Sequence, residues 1–289
     1  MMIFMFGTDF DKRKKEIDEQ EKRIKSWMDK IKHKIVILSG KGGVGKSTVA
    51  ANLAVALASK DKKASVGILD ADITGPSIPK ILGARKKELK ASPLGIAPVI
   101  GPNGIRIISM DFLLQSDETP VIWRGPMKSM AIRQFLSDVM WGSLDYLIID
   151  LPPGTGDEAL SIMQLVPKVD GVIIVTIPSD LSQIVVKKAV TFARQLKTEV
   201  IGIVENMSGL ICPECSKKID VFQSGGGRKI SNDLNVPFLT EIPLDPRISE
   251  DADDGKIFVE KHSNSPAAKA FLDIVDKIEK HFGKKRDSE

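Results

Sequence analysis

The sequence predicts a doubly wound α/β domain, in which helices cover both faces of a mostly parallel sheet. From Lys34 onward, short runs rich in Ile and Val alternate with helical stretches. Most of these runs are apolar at successive positions, so both of their faces are expected to be buried, as in a parallel sheet. A glycine-rich turn between the first run and the first helix supports the same fold class.

Seven apolar runs are predicted to be strands. They are IVIL at 35–38, SVGIL at 65–69, IRII at 105–108, YLII at 146–149, GVIIV at 171–175, VIGIV at 200–204 and PFL at 237–239. Residues 46–59 and 181–195 have a helix-forming composition with few breakers, and a last helix is expected around 270–282. The Pro- and Gly-rich stretch 92–105 is predicted to be a hairpin excursion.

Residues 1–33 are predicted to be a charged leader that is helical or flexible. Lys, Glu, Asp and Arg dominate residues 9–34, and a thin apolar stripe follows roughly helical spacing. Residues 34–289 are then expected to form a single domain that includes a cysteine-bearing loop at 204–227. A chain of 289 residues with 42% hydrophobic content can bury the hydrophobic core of one large domain.

The composition argues against several functional classes. The 42 basic and 38 acidic residues are spread along the chain without a basic block, so nucleic acid is not an expected partner. No apolar run approaches the roughly 20 residues that span a bilayer, and MMIFMF leads into charged residues instead of a cleavage site. We therefore expect a cytoplasmic protein without membrane attachment.

A phosphate-binding loop is predicted between the first strand and the first helix of the domain. GKGGVGKS at 40–47 fits the pattern G-x-x-x-x-G-K-[ST] in its strand-loop-helix context. Glycines let backbone N–H groups turn toward phosphates, and the following helix directs its positive end at them. Lys46 is expected to reach the β- and γ-phosphates of ATP, and the Ser47 hydroxyl to bind Mg²⁺.

Acidic residues end two other predicted strands. Asp150 closes LDYLIIDL, where such domains place an acid for the Mg²⁺ shell. Asp70 and Asp72 end the second strand, so one of them is expected to orient the attacking water or the metal. The turn PPGTGD at 152–157 is a candidate switch that responds to the γ-phosphate.

The two cysteines of the chain, Cys212 and Cys215, form the sequence C-P-E-C. They are too few and too close together to be a disulfide framework, but they offer two thiolates to one metal. Two chains related by a twofold axis complete a four-thiolate site, which suits either Zn²⁺ or a [4Fe-4S] cluster. The spacing alone does not choose between them. A redox dithiol is less favoured, because no thioredoxin-like βαβ pattern follows.

The loop KGGVGKST resembles the deviant Walker A motif of dimeric P-loop ATPases, which include the nitrogenase iron protein, the Min and Par positioning ATPases, the arsenite pump ATPase and the Mrp/ApbC carriers. This resemblance implies the P-loop NTPase fold and a homodimer. It also implies that the additional lysine, Lys41, acts on the nucleotide of the partner chain, in the manner of an arginine finger.

The rest of the chain resembles the Mrp/ApbC branch of iron-sulfur carriers. The motifs that carry this resemblance are DADITGPSIPKILG at 70–83, IWRGPMKS at 122–129, WGSLDYLIIDLPPGTGDEALS at 141–161, ENMSG at 205–209, CPEC at 212–215, GGGR at 225–228 and PFLTEIPLDPRI at 237–248. The resemblance implies a labile [4Fe-4S] cluster that is bridged across the dimer by Cys212 and Cys215 and delivered to apo-proteins. Cluster-assembly scaffold proteins are further expected partners.

The resemblance also implies a set of nucleotide-site residues. The catalytic residues are expected to be Lys41, Lys46 and Asp72, and the nucleotide-binding residues Gly40, Gly42, Gly43, Val44, Gly45, Lys46, Ser47, Thr48, Asp150, Asn206, Pro243 and Asp245. Of these, Asn206 and the turn 243–245 are expected to approach the adenine. The four-cysteine N-terminal motif of some eukaryotic relatives and the small N-terminal domain of many bacterial ones are absent from this sequence.

Three other interpretations remain open. A zinc-stapled dimeric ATPase switch shares every feature above except the cargo. A Par/Min-type positioning ATPase shares the loop and the dimer but has no use for CPEC. A nitrogenase-type reductase also bridges a cluster, yet its ligands are single, well-separated cysteines instead of a C-x-x-C pair.

Overall fold

The computed structural model describes residues 3–59, 61–113, 125–211, 215, 217–221 and 225–286. The strands in chain order are β1 Ile31–Ser39, β2 Val66–Asp70, β3 Lys90–Ser92, β4 Gly95–Ala97, β5 Val99–Ile100, β6 Arg106–Ser109, β7 Leu144–Asp150, β8 Gly171–Thr176, β9 Val200–Ile211, β10 Lys218–Ile219 and β11 Phe238–Leu244. The helices are α1 Ile3–Met28, α2 Lys46–Leu57, α3 Ile78–Ile81, α4 Gly125–Asp138, α5 Asp157–Leu165, α6 Asp180–Gln195, α7 Gly226–Leu234, α8 Pro246–Asp253, α9 Phe258–Lys261 and α10 Pro266–Arg286.

The described residues form one nine-stranded sheet and one separate hairpin. The order in the sheet is β10-β9-β8-β1-β7-β2-β6-β5, and β11 pairs with β9. All pairings are parallel except β10 with β9 and β5 with β6. Each of the seven predicted strands overlaps an observed one, and β3 and β4 form the predicted hairpin excursion. The predicted fold class is confirmed.

The sheet is buried on both faces because its central strands are apolar at successive positions. In β1, Ile35 and Ile37 contribute to one hydrophobic cluster with α2 and α10. Val36 and Leu38 contribute to a second cluster on the other face, with α4, α5 and α6. Side chains alternate between the faces of a strand, so an uninterrupted apolar run serves both layers.

The leader helix α1 packs on the domain at its C-terminal end. Ile24 and Met28 are buried in the second cluster, whereas Ile17 is 45% exposed. The buried ammonium of Lys34 donates to the carbonyls of Met28 (3.3 Å) and Ile31 (3.2 Å), which stabilises the end of the helix. Burial lowers the pKa of this lysine. Since β1 begins at Ile31, residues 31–33 run in the sheet, and the division of the chain at residue 34 stays a prediction.

Strand β9 extends beyond its neighbour β8. Thr176, the last residue of β8, pairs with Glu205, and β9 continues to Ile211. Six further residues extend a strand by up to about 20 Å. The extended part pairs with β10 on one side and β11 on the other. The cysteine-bearing part of the chain therefore starts at the carboxyl edge of the parallel sheet.

No helix in the described ranges is long and apolar enough to cross a membrane.

Candidate nucleotide site and cysteine segment

A cavity of about 240 Å³ lies at the carboxyl end of β1. Its lining residues are Ser39, Lys41, Gly42, Gly43, Val44, Gly45, Lys46, Ser47, Thr48, Asp72, Ser77, Ile81 and Pro153. The structure thus brings together the predicted loop from Lys41 to Thr48 with Asp72, which is distant in sequence. Ser39, Ser77 and Ile81 were not predicted as site residues, whereas Pro153 belongs to the predicted switch turn. Ser39 directly precedes the loop motif, and Ser77 and Ile81 lie within DADITGPSIPKILG.

The backbone of the loop has the conformation that a phosphate cradle requires. Gly43 and Gly45 both have φ of +77°, a region that other residues rarely adopt. A Cβ on Gly45 would clash with Nδ2 of Asn206, so a side chain here would displace that amide from its hydrogen bond with the Val44 carbonyl. The 12-residue helix α2 starts directly afterwards at Lys46. Its unpaired N–H groups and positive dipole end are therefore directed at the cavity.

A buried carboxylate positions the cation and the hydroxyl of the loop. Nζ of Lys46 donates to Oδ1 of Asp150 at 2.6 Å, and Oγ of Ser47 donates to Oδ2 at 2.6 Å. Lys46 is 6% exposed and Asp150 fully buried. Burial raises the pKa of Asp150, and the ammonium of Lys46 offsets part of that effect. The trio presents a hydroxyl and a carboxylate, which are the hard oxygen ligands that Mg²⁺ prefers.

Asp70 is a second buried acid beside Asp150. The two residues are Cα partners in the pairing of β2 with β7. Asp70 accepts hydrogen bonds from the N–H groups of Ser77 and Ile78 and from the hydroxyl of Ser109, at 3.1 to 3.2 Å. Burial, followed by the nearby charge of Asp150, raises the pKa of Asp70 to about 8. Asp70 therefore holds the loop before α3, whereas Asp72 lines the cavity.

Asp72 and Lys41 have side chains that remain available to a ligand. Oδ1 of Asp72 accepts from the Thr74 hydroxyl and the Gly75 N–H, both at 3.2 Å. The ammonium of Lys41 forms no ion pair with any residue in the described ranges, although its carbonyl accepts from the Ser39 hydroxyl at 3.0 Å. Both residues line the cavity.

The predicted switch turn lies against the phosphate loop. The N–H of Gly154 donates to the carbonyl of Ser39 at 2.8 Å, and Pro153 lines the cavity. Gly154 has φ of +93°, which favours glycine. A single backbone hydrogen bond therefore connects the turn to the end of β1.

Five predicted nucleotide-binding residues lie outside the cavity lining. Gly40 packs against Val185 of α6, where a Cβ would approach within 2.6 Å. Asp150 lies beneath the loop, and Asn206 donates from Nδ2 to the carbonyl of Val44 at 2.9 Å.

The other two residues of this set, Pro243 and Asp245, lie at the end of β11, next to the extended part of β9. The carboxylate of Asp245 caps α8 and accepts a hydrogen bond from Nη2 of Arg247 at 2.6 Å. Burial would raise the pKa of Asp245, but the hydrogen bonds from Arg247 lower it.

The cysteine segment, residues 212–217, connects β9 to β10. Lys218 pairs with Ile211, and Ile219 with Leu210, in antiparallel register. Cys215 is exposed and forms no disulfide, whereas Cys212 lies outside the described residues. The described part of the chain contains no group of three or more His, Cys, Asp and Glu side chains that could hold a metal ion.

Comparisons with known proteins agree with this geometry. A family model described as ParA, NUBPL iron-transfer P-loop NTPase, matches residues 30–279. The chain is 52% identical over 270 residues to the iron-sulfur cluster carrier protein of Saccharolobus solfataricus, covering 93% of this chain and 90% of the relative. It is 53% identical over 268 residues to the protein of the same name from Methanocaldococcus jannaschii, covering 92% of each.

A solved structure provides an independent comparison. The nucleotide-binding protein of Archaeoglobus fulgidus, in complex with ADP, is 42% identical and superimposes with a TM-score of 0.75, over 87% of this chain and 96% of that one. The resemblance to the Mrp/ApbC carriers is thereby confirmed at the level of the family. With its loop geometry, its sheet order and a family match over 250 residues, the chain belongs to the ParA-type family of NUBPL iron-transfer P-loop NTPases.

Proposed function

We propose that two copies of this chain carry one [4Fe-4S] cluster as cargo and deliver it to apo-proteins, while each copy binds and hydrolyses ATP. Cys212 and Cys215 of both copies are the ligands. In this proposal residues 34–289 form the ATPase domain, residues 1–33 are its leader, and cluster-assembly scaffold proteins supply the cargo.

The observation that carries the proposal is the exposure of Cys215 on a segment that leaves the sheet at the same edge as the phosphate loop. A structural thiol is typically buried, whereas a thiol that passes on a metal must be reached by the acceptor. One chain has only two cysteines, so a second copy is the simplest source of the other two thiolates. The names of the two carrier relatives support iron-sulfur cargo over zinc.

The nucleotide part of the proposal follows from the buried trio. Asp150 holds the Lys46 ammonium at the loop, where it can bind the β- and γ-phosphates, and orients the Ser47 hydroxyl for Mg²⁺. The loop glycines and the start of α2 supply N–H donors to the phosphates. When bound, Mg²⁺ neutralises charge on the phosphate oxygens. The ADP complex of the Archaeoglobus fulgidus protein supports this use of the cavity.

Hydrolysis requires two further residues in this proposal. Asp72 lines the cavity and positions the attacking water. Lys41, which lines the cavity and has no ionic partner in the described part of its own chain, reaches the nucleotide of the second copy. Asn206 and the turn 243–245 are expected to approach the adenine; the contact of Asn206 with Val44 of the loop and the pairing of β11 with β9 support this expectation.

The proposal is tested by anaerobic reconstitution with iron and sulfide. We expect about four iron and four sulfide per two chains, a dimer by mass in solution, and loss of the brown colour to an apo-acceptor. Stoichiometric zinc that iron and sulfide fail to displace would instead favour the zinc-stapled switch. A monomer that holds a full cluster would contradict the bridged site.

A further inference from the structure

The cysteine segment has two points of attachment to the body of the protein. The chain leaves through residues 206–211 at the end of β9, and it returns through β10 and then Gly225, at the start of α7. We name these the outgoing root and the returning root. Any device that fixes the position of the thiols must act on these two roots.

The carboxylate of Glu205 contacts both roots. Its Oε1 accepts hydrogen bonds from the Ser208 hydroxyl at 2.6 Å, on the outgoing root, and from the N–H of Gly225 at 3.0 Å, on the returning root. Its Oε2 accepts from the N–H of Gly227 in the first turn of α7. Glu205 is fully buried. A buried carboxylate is costly unless it is hydrogen-bonded, and here three donors and the N-terminus of a nine-residue helix compensate the charge.

The close approach of α7 to Glu205 explains the glycines of the GGGR sequence. A Cβ on Gly227 would lie 2.9 Å from Oε2 and 3.0 Å from Cβ of Glu205. Gly225 has φ of +80°, which favours glycine. The absence of side chains at these positions lets two backbone N–H groups reach one carboxylate.

The next residue of β9 contacts the phosphate loop. Asn206 lies on the opposite face of the strand from Glu205, because side chains alternate along a strand. Its Nδ2 donates to the carbonyl of Val44, and the methyl group of Met207 would lie 3.5 Å from a Cβ on Gly45. Two adjacent residues therefore contact the nucleotide loop and the roots of the cysteine segment.

A bulge in β9 separates these contacts from the segment itself. Asn206 pairs with Ile242 of β11, and the next pair is Leu210 with Leu244, so three residues of β9 face one of β11. Met207 has φ of +58° and Gly209 of +73°. Such bulges redirect a strand. A residue other than glycine in this conformation stores about 1 kcal/mol of strain, which the contacts around it must compensate.

We propose that Glu205 is the positioning residue of the cysteine segment and that, through its neighbour Asn206, nucleotide binding at the phosphate loop changes how firmly both roots are held. The inference rests on the proposed function, because the thiols are taken as the cargo ligands. The ligand that acts on the roots is a nucleotide bound at the phosphate loop, and the parts that respond are the two roots.

The test is hydrogen-deuterium exchange of the apo-protein, with and without ADP and Mg²⁺, in wild type and in Glu205→Gln. The glutamine keeps a single acceptor oxygen, so the amides of Gly225 and Gly227 should exchange about tenfold faster or more, as expected when hydrogen bonds to a charged group are lost. In wild type, ADP should slow exchange in residues 207–221 by about fivefold or more, within the usual range of coupling between sites. In the variant this slowing should fall below about twofold while ADP still binds.

The matched control is Asp233→Asn, which removes a carboxylate from the exposed side of the same helix α7 and should change neither effect. A thermal unfolding curve confirms that each variant is folded. Should Glu205→Gln not fold, Ser208→Ala removes the bond to the outgoing root alone and should accelerate exchange in residues 207–221. Unchanged exchange at Gly225 and Gly227 in Glu205→Gln, an undiminished ADP effect, or unchanged exchange in Ser208→Ala would overturn the inference.

The exchange measurement involves no cluster, so it separates this inference from the proposed function. In a second arm, the reconstituted Glu205→Gln protein should lose its cluster faster than wild type at equal protein concentration. If wild type takes up no cluster, the proposed function fails and the exchange result still decides the role of Glu205. If wild type loads and the variant releases at the same rate, the inference fails and the carrier proposal stands.

Discussion

The phosphate loop and the cysteine segment start from the same edge of one sheet, yet the two are built in opposite ways. In the loop, positive φ angles, a helix N-terminus and a buried Lys46–Asp150 pair fix the site within one chain. The cysteine segment is exposed at Cys215, and its roots are held by one buried carboxylate. The phosphate loop is thus built for binding within one chain, whereas the exposed thiol, in the proposed function, shares its cargo with a second copy.

The largest expected effect is a complete loss of cluster loading that leaves nucleotide binding intact. Cys212→Ser or Cys215→Ser should each abolish cluster loading, because one substitution removes two of four thiolates through the twofold symmetry. ADP affinity should stay within about fivefold of wild type, the lower limit of typical coupling between sites. Iron and sulfide per chain and ADP binding are measured on the same samples, with Ser216→Ala as the control. A full cluster in either single variant would show that the ligands lie elsewhere, and the contrast between the two sites would then be wrong.

The second prediction is the converse, in which a substitution in the phosphate loop weakens nucleotide binding and leaves cluster loading intact. Lys46→Ala should weaken ATP binding by about 100-fold or more, because the cation proposed to bind the phosphates is lost and Asp150 is left buried without its partner. Cluster loading should persist. Calorimetric titration with ATP measures the effect, and Lys280→Ala, an exposed lysine of α10, is the matched control. Equal affinities in Lys46→Ala and wild type would remove the basis for the nucleotide site.

Sequence patterns predicted the loop in detail because its contacts are local. Glycine spacing, the following helix and Lys46 lie within one short stretch, so the motif carries its own geometry. The strand-end position of Asp150 predicted an acid beside the loop, but the pairing of Lys46 with Asp150, which crosses 104 residues, was not predicted. The seven strands could also be predicted from the sequence, because burial on both faces leaves uninterrupted apolar runs.

The hydrogen bonds of Glu205 could not be predicted from the sequence. Its partners Gly225 and Gly227 are 20 and 22 residues away, and the neighbouring Asn206 bonds to a carbonyl 162 residues away. ENMSG and GGGR were recognised only through their resemblance to a family, without a physical reason for either. A buried acid beside glycines becomes interpretable when the fold shows which N–H groups surround it. The exposed Ile17 in the leader stripe illustrates the same limit, since spacing alone does not say how far α1 packs.

The third prediction sharpens the idea that the loop is incomplete for hydrolysis although complete for binding. Lys41→Ala should retain ATP binding and lose about 100-fold or more of the turnover, as when a cation is removed from a transferring phosphoryl group. Mixing it with Asp72→Ala, whose lysine is intact, should restore part of the activity, because a heterodimer contains one site with both groups. No recovery, with heterodimers demonstrated by mass, would mean that Lys41 acts within its own chain.

The smallest expected effect concerns the buried acids that make the loop rigid. The pKa of Asp70 is raised to about 8 from the ordinary value of 3.8, so between these values the folded state holds a proton that the unfolded state has released. Stability should therefore fall as the pH rises from about 4 to about 8 in the absence of Mg²⁺ and nucleotide. Asp70→Asn removes the titrating group, so its free energy of unfolding should gain about 1 kcal/mol or more relative to wild type between pH 5 and pH 8.

Urea unfolding of wild type, Asp70→Asn and Asp145→Asn at several pH values measures this difference. Asp145 is the matched control of opposite sign, because its hydrogen bond with Lys32 lowers the pKa of that carboxyl to about 2. Its contribution is complete above pH 4 and is lost only as the pH falls toward 2, so Asp145→Asn should change stability by a constant amount between pH 5 and pH 8. Parallel pH profiles for wild type and Asp70→Asn would mean that Asp70 is already ionised in the folded protein. The hydrogen bonds from Ser77, Ile78 and Ser109 would then outweigh its burial, and the rigidity of the loop would rest on an ionised acid pair.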